Sequence, residues 1–501
     1  MAKSSLNRRE FLKASAYGAS ALALSSCASV DRFFMGDKRD LRNEVVILGG
    51  GAAGLVAAYE LKKRKIPFRL FEASSRLGGR VQSVSVFPAG GPVAELGAEF
   101  FDSTHTHVLA LAKELNLPVR EIKSSSGLDA HLFSFSGKTY RVQDLASKMK
   151  SLQAPLRRVR ADLFRDQDVV ISFKNALQFE RSVYYDSLSL KDLLGSWSSE
   201  VDSVILKLVE AQAVNRFGVD AKDQSALHFI STLDAEGSSL LSGRSTYRMD
   251  LGLSEMTHTL AGRVSGVIPD QIVKLNSPLL GISEKNGEFR LTFSSGANQE
   301  TYTTRNIICT IPFSKLRDVK GLDELAFSPL KQELIKTQAY ATHGKGVLPF
   351  ATNFWKSRQG NTGGNLGNFT GDFVSQKFWD SSREQEGLQG LLSFQRAGTS
   401  GASAGASAQQ EALKDLQLFY SSIPAMLPDS PGVLNWSQKP WALGSMAVFK
   451  PGQYARFNGV AGEPEYDGRF HFAGEHTSLR SAGTLQGALE SGIRAAATIN
   501  I

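Results

Sequence analysis

Glu44 to Leu61 reads EVVILGGGAAGLVAAYEL, and Gly49, Gly51 and Gly54 stand at the spacing G-x-G-x-x-G. The chemistry this spacing serves is the binding of a diphosphate. The first glycine permits a tight turn, the second lets backbone approach the phosphates, and the third lets a helix pack closely on a strand. A helix that starts there points unpaired N–H groups and a partial positive charge at the anion. An acid, Glu72, follows 18 residues beyond Gly54, where a carboxylate accepts hydrogen bonds from ribose hydroxyls.

The elements that must position these groups are legible around them. Val45 to Leu48 is an apolar run suited to a buried parallel strand. Leu55, Ala58, Tyr59 and Leu61 recur at roughly helical steps, and Pro67 to Glu72 reads as a second strand. A glycine-rich turn in another α/β fold would also give the triplet. Strand, loop, helix, strand and acid in register favour the nucleotide site, although the loop alone leaves NAD and FAD both open.

At the other end, Phe470 to Ile499 reads FHFAGEHTSLRSAGTLQGALESGIRAAATI. Phe470 to Ala473 suits a buried strand that Gly474 and Glu475 end. Leu485, Ala488, Leu489, Gly492 and Ala496 follow at three- and four-residue steps, so the spacing predicts a helix from near Thr484. The small Gly487, Ser491 and Gly492 allow close backbone packing. Between the ends, Gln271–Leu275, Leu279–Ile282, Glu288–Phe293 and Asn306–Pro312 read as strand pieces.

Ser75 to Arg80 reads SRLGGR and Glu95 to Phe101 reads ELGAEFF. With the glycine loop and the carboxy-terminal run, these segments resemble the flavin-dependent amine oxidases, the group of monoamine, polyamine and L-amino-acid oxidases. The resemblance implies non-covalent FAD, since no cysteine stands where some members attach it. It implies that Gly49, Gly51, Ala52, Ala53, Gly54, Glu72 and Ala73 receive the nucleotide, with Gly79 and Arg80 along the diphosphate. Gly97, Ala98 and Glu99 would pass near the isoalloxazine, Leu279 would meet the adenine end, and Gly474 and Glu475 the ribityl–phosphate region. Gly483, Thr484 and Leu485 would aim a helix N-terminus at the flavin pyrimidine edge. There the partial positive charge stabilises the negative charge that reduction brings.

Ala339 to Trp355 reads AYATHGKGVLPFATNFW, and Lys345 matches the family lysine that holds a water against flavin N5. It is the one catalytic candidate. Trp441, Phe100 and Ser445 are the substrate-pocket candidates. The departures from the family matter as well: Ser445, Met446 and Thr484 stand where other members carry cage aromatics, and Glu99-Phe100-Phe101 replaces a Met-Arg pair of many amino-acid oxidases. A carboxylate-binding arginine is therefore not identified. His105 and His107 read as solvated helix-start residues, and no metal ligands are assigned. Val201–Arg216 reads as a helix, and Arg396–Gln410, RAGTSGASAGASAQQ, as a flexible low-complexity insertion.

Composition bounds the remaining classes. The 501 residues are 42% hydrophobic, enough for a large core, and length suggests at least two domains. Net charge is +8. Lys3, Arg8, Arg9 and Lys13 against Glu10 account for +3, leaving +5 beyond the first 26 residues. Without a basic block this argues against nucleic-acid binding. Arg8-Arg9, an apolar run too short to span a bilayer, and Leu24-Ser25-Ser26-Cys27 together resemble a twin-arginine export signal with a lipobox. Cys27 would carry the lipid, and the chain would pass through the twin-arginine machinery to the periplasmic face of a bacterial membrane. Cys309, in NIICTIP, reads as a core residue.

The expected fold is α/β plus α+β. A Rossmann-like FAD domain of the glutathione-reductase-2 type is assembled from 44–120, 245–318 and 450–501. A mixed sheet and helical substrate domain comes from 121–244 and 319–449, after a signal at 1–26 and a linker at 27–43. The expected activity takes a hydride from the α-carbon of an amine and yields an imine or aldehyde, ammonia and hydrogen peroxide. The alternatives are an L-amino-acid oxidase, a desaturase or dehydrogenase of a hydrophobic substrate, and a non-catalytic flavoprotein.

Overall fold

The computed structural model describes residues 40–499 apart from 88–89, 124–126, 165–168, 235, 242–245, 266–271, 358–363 and 429. The export signal and Cys27 lie outside the described residues. In chain order the strands of the two large sheets are β1 (Asp40–Leu48), β2 (Phe68–Phe71), β3 (Leu132–Phe135), β4 (Lys138–Arg141), β5 (Val273–Lys274), β6 (Leu279–Lys285), β7 (Glu288–Ser295), β8 (Asn298–Cys309), β9 (His343–Phe350), β10 (Phe369–Gly371), β11 (Lys377–Asp380), β12 (Gly390–Ala397), β13 (Val433–Asn435) and β14 (Phe470–Phe472). Three helices matter most here: α1 (Ala52–Lys63), α2 (Ser203–Phe217) and α3 (Leu485–Thr498).

The first sheet runs β5-β2-β1-β8-β7-β6, with β14 also pairing β8. Its β5, β2, β1, β8 and β14 pair in parallel. Val45, Val46 and Ile47 of β1 are fully buried, as a strand covered on both faces requires. Strands from three distant stretches of chain thus share one sheet. Asp40 and Leu41, expected in a linker, instead extend β1 and pair with Thr303 and Thr304. The piece read as Asn306–Pro312 is the end of a longer β8 that stops at Cys309. Cys309 is buried and free, and burial pushes its thiol up to about 12.

α1 is buried over most of its surface, from Ala52 to Ala58 and at Leu61, because β1 lies on one side and α3 on another. Backbones there approach too closely for larger residues. A Cβ on Gly54 would lie 2.0 Å from the Gly49 carbonyl oxygen, and one on Gly492 of α3 would lie 2.4 Å from the Ala53 carbonyl oxygen. The Arg64 guanidinium, just past α1, donates to the carbonyls of Ala496 and Ile499 and ties the same two helices.

The second sheet runs β13-β9-β12-β11-β10-β3-β4. It is antiparallel except for the parallel β10–β3 pair. Every residue of β9 is buried. The helix expected at Val201–Arg216 is α2, entered at an Asp202 cap and ended at Gly218 in the left-handed conformation. Arg396–Gln410 is not a flexible insertion. It contributes the end of β12, a short helix over Gly398–Ala402 and the start of a helix over Ala408–Leu416. Its small residues serve packing: the Asn435 amide donates to the carbonyls of Gly401, Ala402 and Ala404. Among the described residues no helix is long and apolar enough to cross a membrane.

The α1–α3 contact is testable. Gly492→Ala gains about 1 kcal/mol of helix propensity but presses a methyl onto a backbone carbonyl, at about 1–3 kcal/mol. The clash should win, and the urea midpoint should fall; a midpoint equal to or above wild type would show that the two helices can part without cost.

Candidate active site

A cavity of about 530 Å³ opens where the carboxyl ends of β1, β2, β8 and β14 meet the starts of α1 and α3, the crevice in which open α/β sheets bind ligands. Gly49, Gly51, Ala52 and Ala53 line it at the end of β1, Glu72 and Ala73 at the end of β2, and Gly474 and Glu475 beyond β14. Gly79, Arg80, Gly97, Ala98 and Leu279 also line it, as do Gly483, Thr484, Leu485, Lys345, Trp441 and Ser445. Three sequence candidates are not in the wall. Gly54 packs inward against Gly49, Glu99 is buried behind the wall, and Phe100 lies outside it.

Both helix starts are built for an acceptor. Gly51 caps α1 without a side-chain bond, so the first-turn N–H groups keep no intrahelical partner. Thr484 caps α3, and its Oγ1 accepts from the Gly487 N–H at 3.0 Å. Glu72 Oε2 accepts from the Gly50 N–H at 2.7 Å while Oε1 accepts from the Ser74 N–H and hydroxyl. A carboxylate has about four acceptor positions, so one is left for a ligand hydroxyl. Arg80 donates to Glu475 Oε1 at 2.8 Å and to the Ser445 carbonyl at 2.9 Å. Glu475 also accepts from the N–H groups of Ala447 and Gly483, so one buried carboxylate fixes Arg80 and the entry to α3. A Cβ on Gly79, whose φ is +56°, would lie 3.1 Å from the Gly51 Cα. These two bare backbones lie against each other in the cavity wall. Amide donors, a cation, a ribose-height carboxylate and an elongated crevice fit FAD.

Lys345 is the third residue of β9, with His343 two residues before it on the same face. Its Nζ donates to Glu99 Oε2 at 2.6 Å and to the Gly97 carbonyl at 3.3 Å. Glu99 is saturated further, by Trp379 Nε1 at 2.9 Å and the Ser381 hydroxyl at 2.7 Å. Burial alone pushes the Glu99 carboxyl up, but the charges of Lys345 and Arg248 outweigh it and hold the group below its ordinary value. Glu99 therefore meets Lys345, where the sequence placed it against the flavin. Glu95, close by, is raised by burial to about 7.

His343 Nε2 meets the Asn215 carbonyl at 3.1 Å, an acceptor only, so Nε2 carries the proton. Nδ1 then accepts from the Ser445 hydroxyl at 2.6 Å. Burial, and after it the Lys377 charge, lowers this imidazole to about 4, while the Asn215 bond opposes them, so it is neutral near neutral pH. Thr310, His343, Gln395 and Trp436 line the cavity without having been singled out. Thr310 follows the end of a buried parallel strand, a sequence position that carries ligand contacts. His343 shares the period-two face of Lys345. Gln395 had no local signal. Trp441 is 43% exposed at the rim, and Phe449 belongs to an aromatic cluster with His228 and Tyr454. His107 bonds the Gln486 amide at 2.6 Å, which ties the helix over Thr106–Glu114 to α3.

Comparison with known proteins gives a consistent result. The family described as flavin containing amine oxidoreductase matches residues 52–500. The flavin-dependent L-tryptophan oxidase of Lentzea aerocolonigenes is 26% identical, over 91% of this chain and 98% of the relative. The L-amino acid dehydrogenase of Synechocystis is 25% identical, over 91% and 94%. A structure of putrescine oxidase bound to putrescine superposes with a TM-score of 0.74 at 19% identity, over 91% of this chain and 99% of that one. At that identity the likeness is one of fold.

The Lys345–Glu99 pair can be tested by linkage. Both side chains are under a tenth exposed, and removing one partner of a buried pair costs about 3–5 kcal/mol. The folded-state Glu99 pKa lies below the ordinary 4.5, so its stabilisation is present above that value and is lost as pH falls through the folded pKa. Glu99→Gln should lower the urea midpoint near neutral pH, and the gap to wild type should narrow in acid. A gap independent of pH would contradict an ionised pair.

Proposed function

The chain belongs to the family of flavin-containing amine oxidoreductases, enzymes acting on CH–NH2 groups, and from that membership we propose an oxidase mechanism. A hydride equivalent leaves the α-carbon of a neutral amine, water hydrolyses the imine to a carbonyl compound and ammonia, and O2 takes up the two electrons and two protons as hydrogen peroxide. The observation that carries this reading is a single cavity bounded by two helix N-termini from opposite ends of the chain, with Lys345 in its wall.

FAD, held non-covalently, supplies the electron sink for this chemistry when bound. The amides at Gly51, Ala52 and Ala53, with Arg80, would hold its diphosphate, Glu72 its ribose, and the start of α3 its pyrimidine edge. An ammonium has three donors and no acceptor, so Lys345 orients a water or steadies negative charge and removes no proton. His343 is occupied at both nitrogens. Neither group serves as a base, so in this mechanism the amine binds in its neutral form.

One observation favours a second reading with the same donor but a different electron acceptor. Glu99 offsets the Lys345 charge at 2.6 Å, and a cation so compensated stabilises nascent superoxide less. A dehydrogenase passing its electrons to a quinone would suit that pair. The sequence signals at Arg8-Arg9 and Leu24–Cys27 support export and lipid anchoring as part of the proposal.

Purified mature protein should be yellow and release peroxide with amines or amino acids. Lys345→Met should keep the colour and lose about 10²-fold in turnover, the scale of one preorganised donor; an unchanged rate would remove Lys345 from the mechanism. Reduction of a soluble quinone without peroxide would select the dehydrogenase reading. Cys27→Ala should move the protein from the membrane to the soluble fraction, and a variant still in the membrane fraction would sink the lipoprotein assignment.

A further inference from the structure

A second cavity, of about 330 Å³, lies between α2 and the ends of β3 and β10. That volume is at the lower end of small-molecule sites. Lys207, Glu210, Ala211, Val214 and Asn215 of α2 form one wall, at the three- and four-residue steps that share a helix face. Phe135 and Asp372 belong to the other. No residue lines both this cavity and the flavin cavity.

The charges of this wall do not cancel. Lys207 donates to the Ser136 hydroxyl and lies 3.5 Å from Asp372 Oδ2, which also accepts from the Ser136 N–H at 2.8 Å. That cation and that anion offset each other. Glu210 remains, an exposed carboxylate with no hydrogen bond or ion pair among the described residues. The wall therefore carries a surplus negative charge. Lys377 follows Gln376 in the chain but is not part of the wall, and its ammonium lies over the Trp379 ring.

Asn215 adds a second demand. It is 6% exposed. Its Nδ2 donates to the Ala211 carbonyl at 2.8 Å. A carbonyl only accepts, so the amide orientation is fixed and Oδ1 is left as the acceptor. Oδ1 is buried and has no partner among the described residues. Nearly every buried polar atom of a folded protein is paired, and this one calls for a donor that the chain does not supply. Oδ1 and Glu210 both accept, so a ligand must bring N–H groups. The surplus charge asks that it be a cation, and Phe135, Ala211 and Val214 ask for a hydrocarbon body.

We propose that the second cavity is a binding site for an organic ammonium, separate from the flavin cavity. The N–H groups of the ligand serve Glu210 and Asn215 Oδ1, and its apolar body lies along Phe135 and Val214. The Asn215 main-chain carbonyl accepts from His343 Nε2 at 3.1 Å and from Gln395 Nε2 at 2.8 Å, two residues that line the flavin cavity. An occupant bonded to Asn215 therefore braces the residue to which those two side chains are tied.

The test uses flavin-loaded protein and cumylamine, an ammonium whose amine carbon bears no hydrogen and cannot be oxidised. Bound cumylamine is counted per flavin by calorimetric titration. Val214→Trp, which fills the space, should bind one cumylamine fewer than wild type, and equal counts would overturn the proposal. At the site that tryptophan removes, Asn215→Ala should weaken cumylamine about tenfold, the loss of one hydrogen bond to a charged group. Glu210→Gln should weaken it about fivefold, the upper end for a partly exposed charge pair. As a change at an exposed position, Glu210→Gln keeps the test decisive if the other two variants do not fold. Unchanged affinity in Glu210→Gln, or cumyl alcohol binding there as tightly as cumylamine, would overturn the assignment of an ammonium and leave a cavity that holds water only. None of these readouts needs turnover. Failure of this site leaves the amine-oxidation reading intact, and an enzyme that oxidises no amine leaves this site intact.

Discussion

The close contact of α1 with α3 is the constraint on which the site depends. At Gly492 the backbones of the two helices approach until a single methyl would strike the Ala53 carbonyl. That approach brings two helix N-termini, one from each end of the chain, into the wall of one crevice. Each carries unpaired N–H groups and a partial positive charge. Apart, each is a weak anion site. Together they bound one crevice, and FAD held there would have its phosphates at one terminus and its other end at the second. Glu475 secures the arrangement, because its one carboxylate holds Arg80 from the first segment and the Gly483 N–H at the entry to α3.

The second sheet supplies the other wall, and there the governing term is charge compensation in a poorly solvated interior. Lys345, Glu99, Trp379 and Ser381 form a linked set in which both Glu99 oxygens are taken and one Lys345 N–H is left over. Such a set is stable only as a whole, since removal of one charge strands the other. Its effect on chemistry is double-edged. The pair fixes the ammonium in place, yet it dilutes the positive field that the ammonium presents to the cavity. How this enzyme disposes of its electrons depends on which effect dominates.

Much of the nucleotide half was legible in the sequence because its signals are local. A glycine triplet between a strand and a helix, with an acid a fixed distance on, reports backbone geometry that neighbouring residues enforce. The start of α3 was legible for the same reason, since Thr484 is a side-chain cap within three residues of the amide it serves. The errors arose where composition was taken for conformation. Arg396–Gln410 is rich in glycine, alanine and serine because β9, β13 and α2 leave it little space, as the 2.3 Å between a Cβ on Gly344 and the Ala404 side chain shows. Small residues of that kind mark tight packing as readily as mobility.

By itself the sequence determined the phosphate-binding turn, the two helix starts, the buried strands and the burial of Cys309, each set by interactions within a few residues. Only the tertiary structure decided that Glu99 belongs to Lys345 and that Gln395 stands opposite that lysine. These residues lie tens to hundreds of positions apart, and cross-strand register, not proximity in the chain, makes them neighbours. A lysine in a sequence carries no mark of whether an anion will face it. That depends on which strands pair and which carboxylates the fold has already committed.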